Sequence, residues 1–154
     1  MVLYTNVGRV LYKLIRYQDR SMTTKHVPYF EVGVPAGFPS PADDYVERPL
    51  DLHELLVEHP AATFFVRVEG DSMRGVGMYS GDILVVDRAL TAHDGKIVVA
   101  LLNGEFMVKR LKIEGKKMYL FSENPRYQPI EVLEGSDFQV WGVVTYVIHS
   151  LKHN

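Results

Sequence analysis

The sequence predicts a mainly β domain of antiparallel strands with one short helix ahead of it. Three observations lead there. Residues 63–69, 83–87, 96–102, 105–113, 117–122 and 138–149 are short runs rich in Val, Ile, Phe and Tyr, the composition of strands. Turn pairs stand between them: Ser80-Gly81, Asp94-Gly95, Asn103-Gly104 and Glu114-Gly115. No helical pattern separates the runs, so consecutive strands follow one another directly, as in antiparallel sheets. Asn103-Gly104 is the strongest hairpin signal, because the favoured two-residue turn needs positive φ at both positions.

Ahead of the strands the chain changes character twice. Val7, Val10, Leu11 and Leu14 follow helical spacing, with Arg9, Lys13, Arg16 and Arg20 on the other side. The expectation is a short helix or a loose arm covering the domain. A basic amphipathic face of this kind also suits a membrane or an acidic partner. Next comes Val34-Pro35-Ala36-Gly37-Phe38-Pro39-Ser40-Pro41, where three prolines exclude regular helix and push their predecessors to extended geometry. An exposed, extended segment is the shape a protease site accepts. The short helix starts at Asp51-Leu52-His53-Glu54, with Asp51 as N-cap and Glu54 as its capping-box partner. Leu52, Leu55 and Leu56 give it an apolar face, and Pro60 follows its end.

Composition narrows the function classes. A chain of 154 residues with 47% hydrophobic and 23% charged side chains fits one soluble globular domain. The formal net charge of -2 gives no basic excess for free-standing DNA or membrane binding. The chain has no cysteine, which excludes disulfides, thiol nucleophiles and zinc-cysteine sites and suits a cytoplasmic protein. Its apolar stretches are far shorter than the roughly 20 residues of a spanning helix. Basic residues interrupt every apolar run near the N-terminus, so a secretory signal is not expected. His149 and His153 have the spacing of a metal pair but no third ligand in view, and no metal or other cofactor is expected. Gly75, Gly77 and Gly81 resemble a phosphate loop only loosely, without the Lys-Ser/Thr that should follow.

One constellation points to chemistry. Gly70-Asp71-Ser72-Met73 stands where the first strand ends, a turn setting that presents a hydroxyl. Lys109 lies on the 105–113 strand, where Met107, Leu111 and Ile113 share its face. If that face is the core, desolvation disfavours the ammonium and lowers the lysine pKa from its ordinary ~10.4. A neutral lysine can take a proton from serine without help from histidine. Phe106 and Val108 on the opposite face leave the alternative of a solvent-facing lysine open.

These residues carry a resemblance. The chain resembles the UmuD branch of the LexA/UmuD family of self-cleaving serine proteins, from about Phe38 through Val147. The matching motifs are Gly37-Phe-Pro-Ser-Pro-Ala42, Asp44-Tyr-Val-Glu47, Asp51-Leu52, Gly70-Asp-Ser-Met73, Gly81-Asp82, Val86-Asp87, Gly104-Glu-Phe106, Val108-Lys109, Pro129-Ile130 and Gly142-Val-Val144. The resemblance implies Ser72 as nucleophile, Lys109 as general base and Ala36–Gly37 as the bond cut. The N–H groups near Ser72 and Met73 are the candidate oxyanion donors. It also implies strongly bent antiparallel sheets, an extended N-terminal arm over residues 1–36, and a protease and dimerisation domain over residues 37–154. The implied partners are a second copy in a homodimer, a RecA filament on single-stranded DNA that stimulates the cut, and a UmuC-like translesion polymerase.

Two departures are visible. The cut pair is Ala-Gly, as in LexA-type repressors, where UmuD has Cys-Gly; both are small. The segment before the cut is longer than a UmuD arm, yet too short for the winged helix-turn-helix of a repressor, so sequence-specific DNA binding is not expected. Met22 is a second possible start. Competing readings are a catalytically idle interaction module and a repressor fragment lacking its DNA-binding domain. Signal peptidases also use Ser-Lys pairs, but they need a membrane anchor that is not seen here.

Overall fold

The computed structural model describes residues 27–30, 36–37 and 47–153. The basic stretch expected to form a helix or arm, with Val7, Val10, Leu11 and Leu14, lies outside the described residues, as does Met22. The chain divides into two compact units, Met1–Asp51 and Leu52–Asn154.

In the first unit, β1 (Val27–Phe30) and β2 (Glu47–Leu50) pair antiparallel, with Val27 opposite Leu50 and Phe30 opposite Glu47. No alternation in the residues announces them. Pro28 faces Pro49, and neither can donate to the ladder, which restricts this pair to few hydrogen bonds.

The second unit opens with α1 (Leu52–Leu56), the expected short helix. Leu52 and Leu55 are half exposed, and the buried residue of this stretch is Val57, one position beyond the helix. Seven strands follow: β3 (Thr63–Arg67), β4 (Ile83–Asp87), β5 (Ile97–Leu102), β6 (Glu105–Glu114), β7 (Lys117–Phe121), β8 (Ile130–Val132) and β9 (Phe138–Ile148). They form one antiparallel sheet in the order β3-β4-β9-β5-β6-β7-β8. The mainly β expectation holds, and six of the seven strands lie where the residue pattern puts them. The exception, β8, is only three residues long and too short to show a period.

Turn chemistry acts as expected at the β5–β6 hairpin, where Asn103 and Gly104 take φ of 50° and 86°. β5 explains why its sequence is apolar throughout instead of alternating. Val99 packs with Val68, Met73, Met78, Leu84 and Val86, whereas Val98, Ala100 and Leu102 pack with Leu111, Leu120 and Val143. Each face of this strand therefore lies in a different apolar cluster. β9 joins β4 and β5 with register shifts at Val85/Val86 and Val99/Ala100. Each shift inserts an extra β9 residue, Thr145 or Trp141, and such bulges bend a sheet and increase its twist.

Candidate active site

β3 ends at Arg67, and the chain turns through Gly70-Asp71-Ser72-Met73 into a single 3-10 turn, Arg74–Val76. Two methionines anchor this loop in the apolar cluster beneath it, Met73 and Met78, each 3% exposed. The Met73 carbonyl accepts from the N–H of Val76, and the Asp71 carbonyl accepts from the N–H of Arg74. Ser72 is therefore carried on a turn fixed by burial on one side and by local hydrogen bonds on the other. Among the described residues, no backbone carbonyl accepts from the N–H of Ser72 or Met73.

Lys109 reaches the serine from β6, which crosses from the edge of the cleft into the second cluster. Its strand neighbours on the same face are Met107 and the buried Leu111, and Val98 lies opposite on β5. Lys109 is only 9% exposed, and the solvent-facing alternative is excluded. Its Nζ donates to Ser72 Oγ at 2.7 Å. Burial pushes the lysine pKa below its ordinary value, and no second cause offsets it. Among the described residues Lys109 makes no ion pair. Beside the pair lies a cleft of about 390 Å³, lined by apolar residues such as Val66, Val68, Val99 and Phe106 and by the charged Arg67 and Glu69 together with Ser72 and Lys109.

Ala36 and Gly37 form an exposed bend within the first unit. Exposure of both residues suits a bond that must enter a protease site, and a Cβ added at Gly37 would meet nothing within 4 Å.

Sequence reasoning missed a third segment, residues 123–127. The Tyr127 hydroxyl donates to Asp71 Oδ1 at 2.5 Å. Asn124 Nδ2 donates to the Asp71 carbonyl at 3.0 Å and to Oδ2 at 3.3 Å. The Gly75 N–H donates to the Glu123 carbonyl at 2.7 Å. That approach needs glycine, because a Cβ at position 75 would lie 2.4 Å from the Glu123 oxygen. Arg110, the neighbour of Lys109, holds the Glu123 carboxylate and donates to the Gly95 carbonyl. The Tyr127 hydrogen bond keeps Asp71 below the usual carboxylate range, and the same bond raises Tyr127. A signal existed in the sequence: Asn124-Pro125 is a turn pair placed directly after the strand that pairs with the Lys109 strand.

The two histidine pairs found elsewhere hold structure together. His149 Nδ1 meets the buried Asp82 at 2.6 Å, and His59 Nδ1 meets the buried Asp87 at 2.7 Å. The spacing of His149 and His153 has no partner in a metal cluster among the described residues.

Comparison with known proteins agrees with the geometry. Residues 28–145 match the Peptidase S24-like family. The chain is 47% identical to Protein SamA of Salmonella typhimurium over 125 residues, covering 81% of this chain and 86% of that one. It is 43% identical to Protein MucA of Escherichia coli over 122 residues, 78% of this chain and 82% of the relative. The LexA repressor of Ectopseudomonas mendocina is 42% identical over 116 residues, 75% of this chain but 56% of that longer protein. The resemblance carried by the sequence motifs is borne out, and the chain belongs to the Peptidase S24-like family.

Proposed function

We propose that this protein is a serine endopeptidase that cuts its own Ala36–Gly37 bond. The observation that carries the reading is the 2.7 Å contact between Ser72 Oγ and a nearly buried Lys109 Nζ that makes no ion pair among the described residues. A neutral Lys109 accepts the Ser72 proton as Oγ attacks the Ala36 carbonyl carbon. The N–H groups of Ser72 and Met73 then receive the developing oxyanion. Collapse breaks the peptide bond, and the Lys109 ammonium returns its proton to the Gly37 nitrogen, the new N-terminus. Water, deprotonated by the again neutral Lys109, releases Ala36 from the serine ester. Residues 1–36 leave as the arm, and residues 37–154 remain as the processed domain.

The biological setting follows from the family likeness. A RecA filament on single-stranded DNA stimulates the cut during the SOS response, in the cytoplasm. The processed chain joins a UmuC-like polymerase in error-prone translesion synthesis. Self-association has support in the sheet itself. Phe65, Val85 and Tyr146 stand in one row across β3, β4 and β9, and Ile148 follows on the same face. Phe65 is 58% exposed and Tyr146 and Ile148 each 43%, on either side of the fully buried Val85, apolar side chains that a second copy would cover.

The test is to hold the purified chain at alkaline pH and follow it by denaturing gel and mass spectrometry. A product beginning at Gly37, absent from folded Ser72→Ala and Lys109→Ala chains, is the expected result. A folded Ser72→Ala chain that still cuts itself overturns the mechanism.

A further inference from the structure

We infer that Tyr127 is a positioning residue for the Ser72–Lys109 pair, its hydroxyl fixing the turn that carries the serine and its ring shielding the lysine amine. The inference rests on the protease reading and deepens it. Four contacts join the 123–127 segment to the turn at 71–75: Tyr127 to the Asp71 carboxylate, Asn124 to the Asp71 carbonyl and carboxylate, and the Gly75 N–H to Glu123. Asp71 is the residue immediately before the serine. Its carbonyl and carboxylate are both held from the second segment, so the serine's own backbone has little freedom to swing. The segment is anchored in turn through Glu123 to Arg110, adjacent to Lys109 on β6. Serine and lysine are thus referenced to one short stretch of chain, although 37 residues separate them.

The ring acts on the other partner. Lys109 Nζ lies 5.9 Å from the Tyr127 ring centroid, at the outer limit of cation–π attraction. At that distance the attraction is weak, and the ring, itself 44% exposed, covers the amine from one side only. The charged groups around the amine come from several elements: Arg67 and Glu69 line the same cleft from the end of β3, the turn offers Asp71, the 122–127 segment offers Glu123 and Arg126, and β5 carries no charged side chain. Glu123 is engaged by Arg110, and Asp71 is engaged by Tyr127. The hydrogen bond to Asp71 holds Tyr127 above the usual phenol range, whereas burial holds Lys109 below its ordinary one.

Two variants of the full chain separate the two roles. Tyr127→Phe keeps the ring and removes the O–H; Tyr127→Ala removes both. Self-cleavage is followed from neutral to alkaline pH, with thermal melts and labelling of Ser72 by a fluorophosphonate as controls. Tyr127→Phe is expected to lower the plateau rate about tenfold, because a small misplacement of the attacking atom is costly. Its pH midpoint stays that of wild type. Tyr127→Ala is expected to raise the midpoint toward that of an ordinary lysine, a shift that loosened packing alone would not produce. A folded Tyr127→Phe chain that cuts at the wild-type plateau overturns the inference alone. A wild-type chain that neither cuts itself nor takes the label overturns the protease reading and the inference with it.

Discussion

The two ends of β4 and the middle of β6 both bury a charge, and they treat it in opposite ways. Asp82, just before β4, is 3% exposed, and Asp87, its last residue, is 2% exposed. Each has a histidine and a backbone donor: His149 and the Tyr79 N–H at Asp82, His59 and the Ala89 N–H at Asp87. Burial alone would raise both carboxyls, but the hydrogen bonds they accept hold them below the usual carboxylate range. Lys109 is buried almost as well, and among the described residues its one hydrogen bond is the one it donates to the serine hydroxyl. Where a buried charge serves the fold, the structure compensates it. Where it is left uncompensated, burial costs stability and the side chain becomes reactive instead.

The comparison breaks most visibly at the pair itself. Ser72→Ala should abolish self-cleavage, and Lys109→Ala should slow it about a thousandfold, the scale of a lost general base. Both should melt as folded proteins, read by circular dichroism beside the cleavage gel. Removing compensation has the reverse signature. Asp87→Asn should leave the cleavage chemistry in place and cost about 2 kcal/mol in denaturant unfolding, less than a fully buried pair because His59 is part exposed.

The pH dependence of that loss has a definite sign. The Asp87 pKa is depressed in the fold, so its stabilisation is present above the unfolded carboxyl value and is lost as pH falls through the folded one. The Asp87 hydrogen bond raises the His59 pKa, so the histidine's share is full below 6.5 and is lost as pH rises through the raised value. Melts of wild type and Asp87→Asn should therefore differ most between these limits and converge in acid.

At Lys109 the buried charge is a penalty instead of a gain, although stability again rises with pH. Its folded pKa is lowered by burial, so between the folded and unfolded values the unfolded chain holds more protons. Stability rises with pH through that window, and the penalty is fully present below it. Lys109→Met should be inert yet at least as stable as wild type near neutral pH, measured by denaturant midpoint. A clearly destabilised Lys109→Met would mean that the ammonium has a structural partner. The smallest effect is expected at the proposed scissile bond, where Gly37→Val should slow cutting several-fold by restricting the backbone and crowding the attack, read by the same gel.

How much was legible in the sequence follows the same division. The strands could be read because their apolar runs and glycine turns are local signals. Lys109 stands out among Met107, Leu111 and Ile113, but its strand alone leaves a solvent-facing lysine open, and the roles of Ser72 and Lys109 come with the family resemblance. The compensating partners could not be read. His59 lies 28 residues from Asp87, His149 lies 67 from Asp82, and Tyr127 lies 56 from Asp71. Pairs at that separation meet only through sheet order, which strand-by-strand periodicity does not contain. β1 and β2 escaped for a different reason, since proline in both strands hides the pattern that pairing normally leaves.

The claim that joins these observations is that Lys109 is the neutral base because it is buried without a counter-charge. Its titration can be observed directly by NMR of the chain with isotope-labelled lysine, using Ser72→Ala to keep the protein intact. Lys109→Met identifies the resonance. The account predicts a Lys109 pKa below the ordinary lysine range, with the wild-type cleavage rate rising through a midpoint close to that value. Lys109 titrating with the surface lysines, or cleavage already at its plateau well below the Lys109 pKa, would contradict it.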